Sequence, residues 1–96
     1  MPIIRIVKMT FQPEKVSNFR SLFGQIKDKI RGFEGCINMS AYNEIGSGNV
    51  IFTYSIWESM DSLENYRKSD LFRTTWTETK SYFSEPAQAW SLETFE

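Results

Sequence analysis

The sequence predicts an α+β fold in which the elements follow one another in the order β-α-β-β-α-β. Ninety-six residues are enough for one domain, which we place over residues 1–96. Four segments are rich in β-branched and aromatic residues, which favour strands. Two other segments repeat apolar residues at the three-and-four spacing of an amphipathic helix. The order of these segments along the chain gives the predicted architecture.

The first strand and the first helix are predicted within residues 3–33. Residues 3–11 carry apolar side chains on both alternation sets, which is typical of a strand that is covered on both faces. Pro13 marks a helix start, because proline suits the first helical turn, and Gly32 and Gly35 end the helix. Its apolar stripe consists of Val16, Phe19, Phe23, Ile26, Ile30 and Phe33.

Residues 36–57 predict a β-hairpin. Apolar and polar side chains alternate over residues 36–45, which indicates a half-buried strand. The turn that follows, Gly-Ser-Gly-Asn at residues 46–49, suits a hairpin. Residues 50–57 then form a strand that is again apolar on both alternation sets.

The last third of the chain predicts a broken helix and a final strand. Ser59 is placed to cap one helical segment, and Ser69 with Asp70 to cap a second after a break at residues 68–70. Residues 87–95 alternate and predict the last strand, with Trp90 and Leu92 on one face.

This element order is that of ferredoxin-like folds, in which helices cover one face of an antiparallel sheet. The strands are nevertheless apolar on both alternation sets, so the second face also needs a cover. No segment of the chain is left to supply it. We therefore expect a homodimer that packs through its sheet faces to form a dimeric α/β barrel.

Composition excludes several kinds of chemistry. The chain has no histidine and one cysteine, Cys36, so it lacks the residues of Ser-His-Asp and Cys-His sites, His-ligated metals and Cys-ligated clusters. We expect neither a cofactor nor a metal. The net charge of −1 argues against nucleic acid or an anionic membrane as partner. Arg5 and Lys8 interrupt what would be the apolar part of a signal peptide, which favours a cytoplasmic protein.

Two stretches carry a family resemblance. Gly-Phe-Glu-Gly-Cys stands at residues 32–36, and Trp-Glu-Ser at residues 57–59 is followed by Ser-Asp-Leu-Phe at residues 69–72. With the element order, these stretches resemble the antibiotic-biosynthesis monooxygenase family over nearly the whole chain. The resemblance implies a dimeric α+β barrel. It also implies oxidation of phenols or quinols by O2 without metal or flavin.

The chain departs from the histidine-bearing branches of that superfamily. In haem-degrading relatives an Asn, a Trp and a haem-ligating His fall on positions that are Val7, Tyr66 and Trp76 here. The histidine of many quinol-oxidising members falls on Tyr66 or Leu71. Haem binding is therefore not expected, and a histidine base is absent.

Candidate site residues follow from the pocket that this fold is expected to hold between sheet and helices. A cofactor-free oxygenase needs an apolar pocket, a group that deprotonates or hydrogen-bonds the hydroxyl, and exclusion of water. Tyr66 is the candidate hydrogen-bonding or base group and Arg73 the candidate cation. The candidate substrate-binding residues are Val7, Phe23, Asn38, Tyr54, Trp57, Phe72 and Trp76.

Three functions remain open on the sequence alone. The first is an oxygenase that acts on a small aromatic phenol or quinol. The second is a non-catalytic barrel that binds a small aromatic ligand or serves in a stress response, and the third is a dimeric scaffold with a filled core. A cavity of roughly 300 Å3 or more with a few inward polar groups would favour a ligand, whereas a packed core would favour the scaffold.

Overall fold

The computed structural model describes all 96 residues and has the predicted α+β architecture. Four strands form one antiparallel sheet in the order β2-β3-β1-β4, and three helices lie on one of its faces. The elements are β1 Ile3–Thr10, α1 Val16–Arg31, β2 Cys36–Asn43, β3 Val50–Trp57, α2 Met60–Arg67, α3 Asp70–Lys80 and β4 Gln88–Glu93. The ferredoxin-like order predicted from the sequence is confirmed.

The helical segment breaks where the capping residues predicted it. Ser59 Oγ accepts a hydrogen bond from the Ser62 amide at 3.2 Å and starts α2. Ser69 Oγ accepts one from the Phe72 amide at 3.1 Å and starts α3. Each hydroxyl satisfies a backbone N–H that has no partner inside its helix. The break divides the helical segment into two short helices, α2 and α3.

Three strands end earlier than the apolar pattern predicts, and the last of them, β4, ends at Glu93 instead of residue 95. β1 ends at Thr10, and Phe11 instead forms an isolated bridge with Phe83. β2 ends at Asn43 because the chain already turns at Glu44, whose amide donates to the Val50 carbonyl at 3.0 Å. Ile45, predicted as the end of that strand, is fully exposed in the turn.

The strand register fixes which side chains face the helices. Cross-strand partners share a face, so the pairs Ile3–Trp57, Arg5–Ser55, Val7–Thr53 and Met9–Ile51 all point toward the helices. Ile3, Met9, Ile51 and Trp57 are accordingly buried. A bulge between Cys36 and Asn38 shifts the register at the start of β2.

The opposite face of the sheet, which we call the open face, has no helix over it. Its rows run across all four strands and include Ser40–Tyr54–Ile6–Trp90 and Asn38–Ile56–Ile4–Leu92. Trp90 and Leu92 are 44% and 46% exposed. An apolar face of this extent is unusual on a solvated monomer.

Gly35 is required where the chain leaves α1 and enters β2. Its φ is +88°, and a Cβ there would collide with the side chain of Ser62 on α2. We expect Gly35→Ala to lower the free energy of unfolding by about 2–4 kcal/mol, through backbone strain and steric overlap. Gly46→Ala is the matched control, because its φ is +86° and its Cβ would meet nothing. Urea denaturation of both variants measures this. Equal decreases in the free energy of unfolding would contradict the proposed collision with Ser62.

Candidate active site

A cavity of about 250 Å3 lies between the sheet and the helices. Its volume is slightly below the roughly 300 Å3 at which drug-sized pockets begin. An engineered apolar cavity of about 150 Å3 holds benzene in another protein, so this space suits a ligand of one or two rings. The core is therefore not fully packed, which disfavours the scaffold reading. The lining residues used below are Arg5, Val7, Phe23, Thr53, Ser55, Trp57, Tyr66, Arg67, Phe72, Thr75, Trp76 and Ala89.

Aromatic rings form one continuous wall of this cavity. Trp57 stacks on Tyr66 with ring centroids 4.8 Å apart, and Tyr66 meets Phe72 edge to face at 5.2 Å. Phe72 then stacks on Trp76 at 5.7 Å. These separations lie in the range in which aromatic pairs attract one another. The wall therefore presents flat, apolar surface to a planar ligand.

Trp57 anchors this wall to the sheet. It is the last residue of β3, it is 1% exposed, and its indole Nε1–H donates to Ser55 Oγ at 2.9 Å. A buried indole N–H needs such a partner. Ser55 lies two residues earlier on the same face of β3, which makes the bond a direct consequence of strand periodicity.

Tyr66 presents a neutral phenol. Burial raises its pKa well above the ordinary value near 10, with a smaller contribution from Cys36. The phenol is therefore protonated throughout the neutral range. Its hydroxyl makes no hydrogen bond to another side chain or to the backbone. Tyr66 is thus suited to donate a hydrogen bond to a ligand and unsuited to act as a base.

The only charged residues that line the cavity are two arginines, Arg5 from β1 and Arg67 from the end of α2. Arg67 pairs with Glu64 at 3.2 Å, whereas Arg5 has no carboxylate within 4 Å and donates only to Ser91 Oγ, at 2.9 Å. Partial burial lowers the pKa of Arg5, and Arg67 lowers it further against the smaller opposing effect of Glu64. Positive charge thus dominates this part of the cavity.

Six of the nine predicted site residues line the cavity together: Val7, Phe23, Trp57, Tyr66, Phe72 and Trp76. Asn38 and Tyr54 do not, which corrects the expectation that they face it. Asn38 pairs with Ile56, and Tyr54 pairs with Ser40, and both pairs lie on the open face. Arg73 is also outside the cavity, because it lies on the exposed side of α3 and pairs with Asp70.

Sequence reasoning missed Arg5, Arg67 and the hydroxyls of Thr53 and Thr75 as lining residues. The signal for Arg5 was available, because it falls on the same alternation set as Ile3, which is apolar and faces inward. A cation inside an inward-facing strand set indicates a site. Arg67 and Thr75 carried no comparable signal, since surface helices are rich in such residues.

Other chemistry-bearing features are few. No three carboxylate or thiol side chains gather in an arrangement that would hold a metal ion. Burial raises the pKa of the Cys36 thiol, which keeps the thiol protonated and of low reactivity. None of the helices has the length and apolar character needed to cross a membrane.

Known proteins of similar structure cover almost the whole chain. A conserved protein from Methanosarcina mazei Go1 is 21% identical with a TM-score of 0.94, and the match covers 99% of this chain and 94% of that one. Rv0793 from Mycobacterium tuberculosis is 18% identical with a TM-score of 0.91, over 100% and 97% of the chains. SnoaB, a cofactor-independent oxygenase from Streptomyces nogalater, is 12% identical with a TM-score of 0.85, over 99% and 94%. These likenesses show the fold.

The family follows from the sequence comparison. No curated protein sequence matches the chain significantly. The model of the antibiotic biosynthesis monooxygenase family, in contrast, matches residues 2–77, which include β1 to most of α3. That span is well over half of the chain and contains both arginines and all four rings of the aromatic wall. The protein is therefore a member of the antibiotic biosynthesis monooxygenase family.

Proposed function

We propose that the protein is a cofactor-independent monooxygenase that oxidises a small aromatic phenol or quinol with O2. The observation that carries this proposal is the cavity of about 250 Å3, which has an aromatic wall and a few inward polar groups. Membership of the family supports the reaction type. The likeness to SnoaB, itself a cofactor-independent oxygenase, is consistent with it at the level of the fold.

The substrate supplies all the electrons in this reaction. Its ionised form passes one electron to O2, and the two radicals combine into a peroxide at a ring carbon. That carbon then loses its hydrogen as the O–O bond breaks, so one oxygen atom stays in the quinone product and the other leaves as water. Four electrons move from substrate to O2, and no further reductant is needed.

The protein's part is to position the ring and exclude water. Trp57, Phe72 and Trp76 hold the ring, and Val7 and Phe23 complete the apolar surface. Tyr66 donates a hydrogen bond to one oxygen of the substrate. No carboxylate lines the cavity, and Tyr66 is protonated, so the substrate gives up its proton to solvent.

The absence of any base in the cavity also favours a second function, binding of a small aromatic ligand without turnover. The two functions differ in oxygen consumption. They share the same pocket and the same lining residues, so binding alone does not separate them.

We further propose that the protein works as a homodimer that packs through the open face. Ile4, Ile6, Tyr54 and Ile56 lie side by side there, with Trp90 at the edge of the same face. No segment of the chain covers these side chains. In a two-fold symmetric dimer this face packs against the same face of a second copy, which removes these side chains from water.

Oxygen uptake with a panel of hydroquinones and anthrone-like phenols, in the presence of a metal chelator, tests the monooxygenase proposal. We expect uptake above the uncatalysed rate, and we expect Val7→Phe to abolish the excess, because its ring would fill the cavity from β1. Ile45→Phe is the control, since Ile45 is fully exposed in the hairpin turn. Binding of the same compounds without uptake would favour the second function instead.

A further inference from the structure

Arg5 is a cation without a counter-charge at an otherwise apolar cavity. Its guanidinium has five N–H donors, and only one of them is used within the protein, in the bond to Ser91 Oγ at 2.9 Å. No carboxylate lies within 4 Å, in contrast to Arg67, which pairs with Glu64. Because Arg5 lines the cavity and keeps most of its N–H donors free of protein partners, it offers those donors to an anionic ligand in the cavity.

The surroundings strengthen this requirement for an anion. Arg67 adds a second positive charge, and its effect on Arg5 exceeds that of Glu64. The cavity is open to solvent on this side, because Arg67 and Ala89 are both exposed. The rest of the lining is mostly aromatic and aliphatic. The site thus combines a flat apolar surface with a net positive charge at its open side, because Glu64 offsets only one of the two arginines.

We propose that Arg5, with Arg67 beside it, binds the anionic oxygen of an aromatic substrate, so that the protein selects aromatic oxyanions over neutral aromatic compounds. The planar guanidinium fork matches a phenolate or a ring carboxylate, which share this chemistry. The inference rests on the proposed function and gives its substrate class. A phenol held there also loses its proton more readily, and the resulting phenolate is the electron-rich form that reacts with O2 in the absence of a protein base.

Three ligands of similar size test the proposal by titration against tryptophan fluorescence: 4-nitrophenol, 4-nitrobenzoate and the neutral 4-nitrobenzyl alcohol. Titrations of 4-nitrophenol across its ionisation give the pKa of the bound phenol. We expect the wild-type protein to lower that pKa by about one unit or more, which corresponds to about tenfold tighter binding of the anion. We expect 4-nitrobenzoate to bind at least about tenfold more tightly than the alcohol by the same argument.

Arg5→Gln should remove both the lowered pKa of bound 4-nitrophenol and the tighter binding of 4-nitrobenzoate than of the alcohol. Its affinity for the neutral alcohol should be unchanged, which shows that the cavity is still formed. Arg5→Lys should retain part of each preference, because it keeps the charge. Arg20→Gln is the matched control, since Arg20 likewise bonds to a neutral side chain, Asn43 Oδ1 at 2.6 Å, but lies away from the cavity.

The outcomes separate this inference from the proposed function. An Arg5-dependent preference for nitrophenolate identifies a phenolate site, and one confined to nitrobenzoate identifies a carboxylate site; either supports the inference. Equal affinity for anionic and neutral ligands in the wild type, a preference that survives in Arg5→Gln, or no binding of any of the three overturns it. Absence of oxygen uptake alongside an Arg5-dependent preference refutes the monooxygenase proposal alone.

Discussion

Replacing Tyr66 by phenylalanine is expected to lower kcat about 10²–10³-fold, the usual cost of losing one hydrogen-bond donor to a developing oxyanion. The substitution removes only the hydroxyl, which has no protein partner to leave unsatisfied. The ring keeps its stacking on Trp57 and its edge contacts with Phe33 and Phe72. The measurement is steady-state oxygen uptake with the best substrate of the panel.

The pH profile of the same variant distinguishes a donor from a base. Because burial raises the pKa of Tyr66, its proton stays in place across the neutral range, and the profile between pH 6 and 9 should keep its shape in Tyr66→Phe while the whole curve falls. Tyr82→Phe is the control, because its hydroxyl donates to Glu78 on the outer side of α3 and does not line the cavity. An ionisation in the wild-type profile that vanishes in Tyr66→Phe would show that Tyr66 acts as a base.

Ile6→Asp is expected to dissociate the proposed homodimer. Ile6 lies in the middle of the open face, between Tyr54 of β3 and Trp90 of β4. By symmetry the substitution buries two unpaired carboxylates in one interface, at a cost of at least about 4 kcal/mol. The dissociation constant should therefore rise about 10³-fold or more. Analytical ultracentrifugation over a range of concentrations measures it.

Ile45→Asp is the matched control, because it makes the same chemical change at a fully exposed position away from the sheet. It should leave the dissociation constant unchanged. Circular dichroism of Ile6→Asp then shows whether the separated copies stay folded. A wild-type protein that sediments as a monomer at micromolar concentration, or an Ile6→Asp variant that dimerises as well as the wild type, would rule out pairing through the open face.

The fold was predictable because local signals and long-range packing agree. Pro13 starts a short 3₁₀ helix, Pro13–Lys15, that leads into α1, and Ser59 and Ser69 cap α2 and α3. Each of these signals acts within four residues, so no tertiary knowledge is needed. The ends of the strands were less predictable. Ile45 continues an apolar alternation, yet the chain turns before it, because the hairpin closes through the Glu44 amide. Alternation alone does not report where a hairpin closes.

The candidate site was predictable where it consists of helix and core aromatics, and not where it depends on strand direction. Both alternation sets of β3 are apolar, so the sequence offered no reason to prefer the set with Tyr54 or the set with Thr53 as the inward one. Four of the six apolar side chains of β3 in fact face away from the helices, and only Ile51 and Trp57 face them. Arg73 was chosen for its nearness to Tyr66 in sequence, but it pairs with Asp70 on the exposed side of α3.

The pairing of the first and last strands places the two chain ends side by side. Ile3 lies opposite Glu93, so a short linker would join residues 1 and 96, and new ends can be opened in the exposed turn around Gly46 and Gly48. In such a circular permutant β4 and β1 become a hairpin, but β2 and β3, which pair locally in the native order, come to lie at opposite ends of the chain. One local pairing thus replaces another, and because contact order is not lowered, the rearranged chain should reach the same architecture no faster than the native one.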